Sequence, residues 1–127
     1  MNKTKYVCGL LGTHPNRKEL LQTWNHFFTE QGIAASLHYY PTKSEQLQLR
    51  LSEMFTLGRT LYILNDELGN ICTPLLDDTR TPEPNIVYNK GGILIGDRVE
   101  HMLDIESLLH DNKDVQTMLS EPIVIGT

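Results

Sequence analysis

Between residues 5 and 64, short apolar runs alternate with segments whose apolar residues recur every three or four positions, and that order constrains the fold more than any single motif. Lys5 to Gly12 (KYVCGLLG) is a short apolar run ending on glycine and reads as a buried first strand. From Asn16 the spacing changes. Leu20, Leu21, Trp24, Phe27, Phe28 and Ile33 mark one wide helical face, which Pro15 and Asn16 open and Gly32 closes. Ala35 to Tyr40 (ASLHYY) is a second strand. Thr42 and Ser44 then precede Glu45, and Leu47, Leu49, Leu51, Met54, Phe55 and Leu57 carry a second helix to Gly58. Thr60 to Leu64 (TLYIL) is a third strand. A β-α-β-α-β unit with right-handed crossovers requires a parallel sheet with helices packed on it.

The second half is less regular. Asn65 to Leu76 reads either as a hairpin return, with turn chemistry at Leu68-Gly69-Asn70, or as a loop leading to a short helix, and Thr79 to Pro84 as a loop. Asn85 to Tyr88 and Ile93 to Gly96 flank Asn89-Lys90-Gly91-Gly92 as a β-hairpin. Arg98 to His110 carries a helical pattern, Val115 to Leu119 a helical turn, and Pro122 to Gly126 a final strand-like run. At 127 residues the chain is expected to form one domain over residues 1–127, large enough to bury a core without metal or disulfide. Cys8 and Cys72 sit in apolar contexts and read as buried free thiols.

Charge narrows the partners. The net charge of −5 is spread along the chain, and no lysine and arginine run exists to neutralise phosphates or an anionic leaflet, so neither nucleic acid nor membrane is expected. The apolar stretch after Lys3 and Lys5 is broken by Gly9 and is too short for a signal core, and nothing approaches the ~18 apolar residues of a membrane span. The expected location is the cytoplasm. His14, His26, His38, His101 and His110 lack metal-ligand spacing, and no serine, histidine and carboxylate have the context of a nucleophilic triad.

Two motifs carry a family resemblance. Laid from Gly12 without a gap, the shikimate dehydrogenase opening pattern G-N-P-x-x-H-S-x-S-P-x-x-H-N-x-x-F-x-x-x-G matches Gly12, Asn25, Phe28 and Gly32. The pattern V-N-T-x-x-N-x-x-G-x-L-I-G resembles PNIVYNKGGILIG, matching Asn85, Asn89, Gly92, Leu94, Ile95 and Gly96. The chain thus resembles the N-terminal, substrate-binding domain of that family. The resemblance implies an α/β fold of three layers, with a mostly parallel mixed β-sheet flanked by helices, and no dinucleotide-binding domain.

The departures bear on function. Where the family's two serines bind the shikimate carboxylate, the alignment places Lys18 and Leu20; leucine cannot donate, whereas Lys18 or Arg17 can pair with a carboxylate by charge. The catalytic lysine that the resemblance places after the third strand is missing, since no lysine lies between Lys43 and Lys90. Its aspartate partner falls on Glu100 and the neighbouring asparagine on Arg98, so Glu100 is the one candidate acid/base. Both read equally as solvated residues in a helix's first turn. His14, beside Pro15 and Asn16 in the first βα loop, and Asn65 and Asn85 at strand ends, are ligand-contact candidates, each with a plain loop or turn role as the alternative. Tyr39 and Tyr40 read as packing residues.

Gly9 and Gly12 do not form a GxGxxG cradle and Gly126 has one residue after it, so no cofactor is expected on this chain alone, and NADP only if a separate nucleotide-binding chain completes it. Three functional readings follow: a binding domain without catalysis of its own, taking a small hydroxylated cyclic carboxylate; half of a split or truncated NADP-dependent shikimate dehydrogenase; or an interaction module that self-associates as a homodimer.

Overall fold

The period-two alternation in the strands and the helical spacing between them produce a sheet with apolar side chains on both faces. In the computed structural model, which describes residues 6–120, the elements are β1 (Tyr6–Leu11), α1 (Arg17–Gln31), β2 (Ala35–Tyr40), α2 (Leu47–Thr56), β3 (Arg59–Leu64), α3 (Asp66–Cys72), β4 (Asp78–Thr79), β5 (Ile86–Lys90), β6 (Ile93–Asp97), α4 (Ile105–Asp111) and α5 (Lys113–Ser120). The six strands form one sheet in the order β2-β1-β3-β5-β6-β4. β1 is parallel to β2 and β3, and β4 is parallel to β6, while β5 runs antiparallel to β3 and β6. The sheet is therefore mixed and mostly parallel, as expected.

Alternate residues feed two cores. Cys8, Leu10, Leu61, Ile63, Ile86, Tyr88 and Ile95 meet α1, α4 and α5 on one face. Leu11, Tyr62, Leu64, Val87 and Leu94 meet α2 and α3 on the other. Trp24 anchors the first core: it is fully buried, edge-on to Phe28 at 5.9 Å, and its indole N–H donates to the Met102 carbonyl at 2.8 Å. Truncation there would cost about 3–5 kcal/mol. Both cysteines are free and buried, and burial pushes the Cys8 thiol up to about 12.

Helix ends follow their residues. Gly32 ends α1 in the left-handed conformation at φ 67°, but Asn16 opens that helix without a side-chain cap bond. The hairpin turn is Gly91-Gly92, with φ of 61° and 93°, the two positive angles that a tight two-residue hairpin turn requires.

The structure corrects several expectations. The stretch from Arg98 is not helical up to Asp104. Asn85 holds the Val99 backbone through both side-chain amide atoms, Trp24 holds Met102, and Asp104 caps α4 by accepting from the Ser107 amide. In the second helix, Ser44–Gln46 is a 3₁₀ turn and only Leu47, Leu51 and Met54 are buried; Leu49, Phe55 and Leu57 face outward. Of the open segment, Asp66–Cys72 is a helix, and Thr79 belongs to β4 rather than to the loop. Lys5 and the run Pro122 to Gly126 lie outside the described residues. Among the described residues no helix is long and apolar enough to cross a membrane.

Candidate functional site

Parallel neighbours β1 and β3 end side by side, with Leu11 opposite Leu64, and the chain leaves each strand through a polar loop into α1 and α3. A cleft of about 220 Å³ opens at this carboxyl edge. Its apolar wall is Leu20, Ile63 and Met102, and its polar rim is Thr13, His14, Asn16, Asn65, Asp66 and Asn85. That volume is below the ~300 Å³ at which drug-sized sites begin, so only a small ligand fits.

The loops are held by specific contacts. Gly12 turns at φ 86°, with the Asn65 side chain so close that a Cβ on residue 12 would lie 2.6 Å from Asn65 Cγ. Asn65 Oδ1 accepts from the Leu68 amide at 3.0 Å and caps α3, which leaves its Nδ2 without a partner among the described residues. Half-buried His14 brings Nε2 to 2.8 Å from the Leu11 carbonyl; a carbonyl only accepts, so Nε2 carries the proton. Burial, the largest cause, holds the His14 imidazole below the usual histidine range, against smaller opposing effects of that hydrogen bond and of Asp66. Thr13 Oγ1, the Asn16 amide and the Asp66 carboxylate make no side-chain hydrogen bond or ion pair among the described residues.

Asn85 differs from these. Its Nδ2 donates to Val99 O at 2.8 Å and its Oδ1 accepts from Val99 N at 2.9 Å, so its amide is consumed in shaping the rim. Asn25 does the same for β2, bonding both the carbonyl and the amide of Leu37 on the sheet's outer edge. Asn89 spans from the Met54 carbonyl to the Gly92 amide. The asparagines that carry the family pattern are thus scaffold clamps.

Of the sequence candidates, His14, Asn65 and Asn85 meet at the cleft, whereas Lys18, Arg98 and Glu100 do not line it. Lys18 is exposed on the first turn of α1. Neighbouring Arg17 lies over the Tyr39 ring at 4.5 Å, which gives that packing residue a cation–π contact. Glu100 is 72% exposed and touches Arg98 at 3.5 Å, a pair worth little in solvent, while Arg98 also donates to the Glu83 carbonyl. Neither occupies the first turn of a helix, because the Asn85 clamp draws Val99 inward and leaves its two neighbours outside. Sequence reading missed Thr13 and Asp66, whose only signal is position just after a strand end.

A larger groove of about 610 Å³ lies at the opposite end of the sheet, beside Arg59, Lys90, the hairpin turn and Asp114. Its acidic group is already engaged: Asp114 accepts from Tyr88 Oη at 2.9 Å, Lys90 Nζ at 3.0 Å and Arg80 Nη2 at 2.7 Å. The Lys90 hydrogen bond, most of all, holds the Asp114 carboxyl below the usual range. The smaller cleft is the better candidate because its polar atoms remain available. Among the described residues no group of three or more His, Cys, Asp and Glu is placed to hold a metal ion.

Among the described residues, the glycines after β1 do not form a dinucleotide cradle. A Cβ on Gly9 would lie 2.7 Å from the Tyr62 ring and 2.8 Å from the Tyr40 ring, and the space beside Gly12 holds Asn65. Both glycines serve packing, and neither leaves backbone open to a pyrophosphate.

Comparison with known proteins supports the fold. No family model and no curated protein matches the sequence. Among solved structures, shikimate dehydrogenase from Aquifex aeolicus has a TM-score of 0.71 at 16% identity, over 87% of this chain and 43% of that one. Shikimate 5-dehydrogenase from Listeria monocytogenes, in complex with shikimate and NAD, has 0.70 at 14% identity, over 84% and 38%. A 5-ketofructose reductase of Gluconobacter has 0.64 at 15% identity, over 74% and 36%. This chain spans less than half the length of each. It has the α/β fold of the shikimate dehydrogenase N-terminal domain.

Proposed function

We propose that this chain is a small-ligand-binding domain that holds a hydroxylated ring compound in the cleft at the ends of β1 and β3, and that it has no hydride-transfer activity by itself. One observation carries the reading: Thr13, Asn16, Asn65 and Asp66 bring polar groups without side-chain partners to one apolar-walled cleft. Hydroxyls of a ligand would replace water on those groups, while the ring packs on Leu20, Ile63 and Met102. The lack of catalysis is supported by two features. Among the described residues no lysine lines the cleft, and the glycines after β1 are filled by Tyr62, Tyr40 and Asn65. Shikimate, which accompanies the Listeria enzyme of the same fold, sets the size class to test.

The experiment is thermal denaturation of the full chain with shikimate, quinate and myo-inositol. A ligand of the native state at one hundred times its Kd adds about 2.7 kcal/mol. At least one compound is expected to raise Tm for the parent but not for His14→Ala. A flat response to all three overturns the binding reading, and reduction of NADP by the chain with shikimate overturns the non-catalytic one.

A further inference from the structure

From the charges around the cleft we infer that it selects a neutral polyol over a carboxylate. The inference rests on the reading of this cleft as a ligand site and specifies its ligand class. Among the described residues Asp66 is the one Asp, Glu, Lys or Arg on the rim, and it has no ion-pair partner. His14 commits its N–H to the Leu11 carbonyl, and its depressed basicity leaves the ring neutral, so it offers an acceptor nitrogen and no cation. Among the described residues neither arginine nor lysine lines the cleft: Arg17 is held over Tyr39, and Lys18 is exposed on the first turn of α1.

Of the neighbouring elements, α3 adds to this balance and α1 does not. The positive end of α1 carries Arg17 and Lys18 as well as Glu19 in its first turn, whereas that of α3 carries Asp66 and Glu67, with Glu67 accepting from Ser44 Oγ at 2.9 Å. A carboxylate entering here would meet the Asp66 carboxylate with no guanidinium or ammonium among the described lining residues to offset it. A neutral polyol meets matched chemistry. Its hydroxyls accept from Asn65 Nδ2 and the Asn16 amide, donate to Asp66 and His14, and exchange either way with Thr13.

The test is a matched pair. Shikimate and methyl shikimate share ring hydroxyls and differ in the charge, and myo-inositol adds a second neutral probe. Calorimetric titration of the full chain at neutral pH and low salt should find the neutral compounds about fivefold or more tighter than the acid, the ratio that one like charge at short range produces in water. Asp66→Asn, an exposed substitution that leaves the fold intact, should shrink that ratio severalfold, and so should high salt. Equal or tighter binding of shikimate overturns the inference and leaves the ligand site standing, as does an unchanged ratio in Asp66→Asn. Failure of all three compounds to bind the folded chain overturns the site reading and this inference with it.

Discussion

The two ends of the sheet treat polar side chains in opposite ways. At the carboxyl edge of β1 and β3, Thr13, Asn16, Asn65 and Asp66 keep side-chain groups without protein partners. At the other end, Asp114 gathers Tyr88, Lys90 and Arg80 and ties α5 to β5. Charge and cavity size alone favour the second end as a site, since its groove is nearly three times larger. Commitment of hydrogen bonds points the other way, because a group that already holds the fold together cannot also exchange partners with a ligand at low cost.

Substitution at the two ends should therefore separate stability from binding. The largest expected effect is Asp114→Ala. The Tyr88 ring is fully buried, and losing its acceptor strands the hydroxyl, so urea denaturation should show a loss of about 2–3 kcal/mol. The exposed Lys90 and Arg80 ends add little to that figure. Asp114→Asn, which keeps an acceptor, should lose less. Equal stability of the alanine variant and the parent would break the distinction between the two ends.

Next in size are the clamps. Asn85→Ala removes both bonds to Val99 and should cost about 1–2 kcal/mol. Asn25→Ala should cost a similar amount and, by freeing Leu37 on the sheet edge, also produce concentration-dependent association in sedimentation. Asp66→Asn should stay within about 0.5 kcal/mol of the parent, as surface substitutions do.

Acid should sharpen the contrast by a smaller amount. Both His14 and Asp114 have folded pKa values below their unfolded ones, so each contributes stability that is complete above the unfolded pKa and is lost as pH falls. The windows differ: the His14 loss begins below about 6.5, and the Asp114 loss below about 4. Denaturation midpoints of His14→Asn should show a flatter course between pH 6.5 and 5 than the parent, with the steeper loss below pH 4 retained. Parallel curves would remove His14 from the account.

The parallel half was legible because each element announces itself locally. Strand runs at Tyr6–Leu11 and Ala35–Tyr40, the face through Leu20, Trp24 and Phe28, and Gly32 all follow period and cap chemistry. The hairpin followed from Gly91-Gly92. By contrast α3 has seven residues and β4 two, too short for a period to register, and Gly69 is there because the Pro84 carbonyl passes against it, a long-range fact. Position after a strand end was enough to place His14 and Asn65 at the cleft's rim. Thr13 and Asp66 share that position, and what sets them apart, side chains without partners among the described residues, shows only in three dimensions. Alignment by index alone put Glu100 and Arg98 in the site, whereas a side-chain clamp two strands away sets where they point.

Asparagine side-chain amides give the most direct measurement. In ¹⁵N–¹H spectra of the full chain, the NH₂ groups of Asn25 and Asn85 are predicted to exchange slowly and to hold their shifts when methyl shikimate is added, while those of Asn16 and Asn65 exchange fast and move with the titration. Movement of Asn85 with Asn16 and Asn65 unchanged, or perturbation centred on Lys90 and Asp114, would contradict the account.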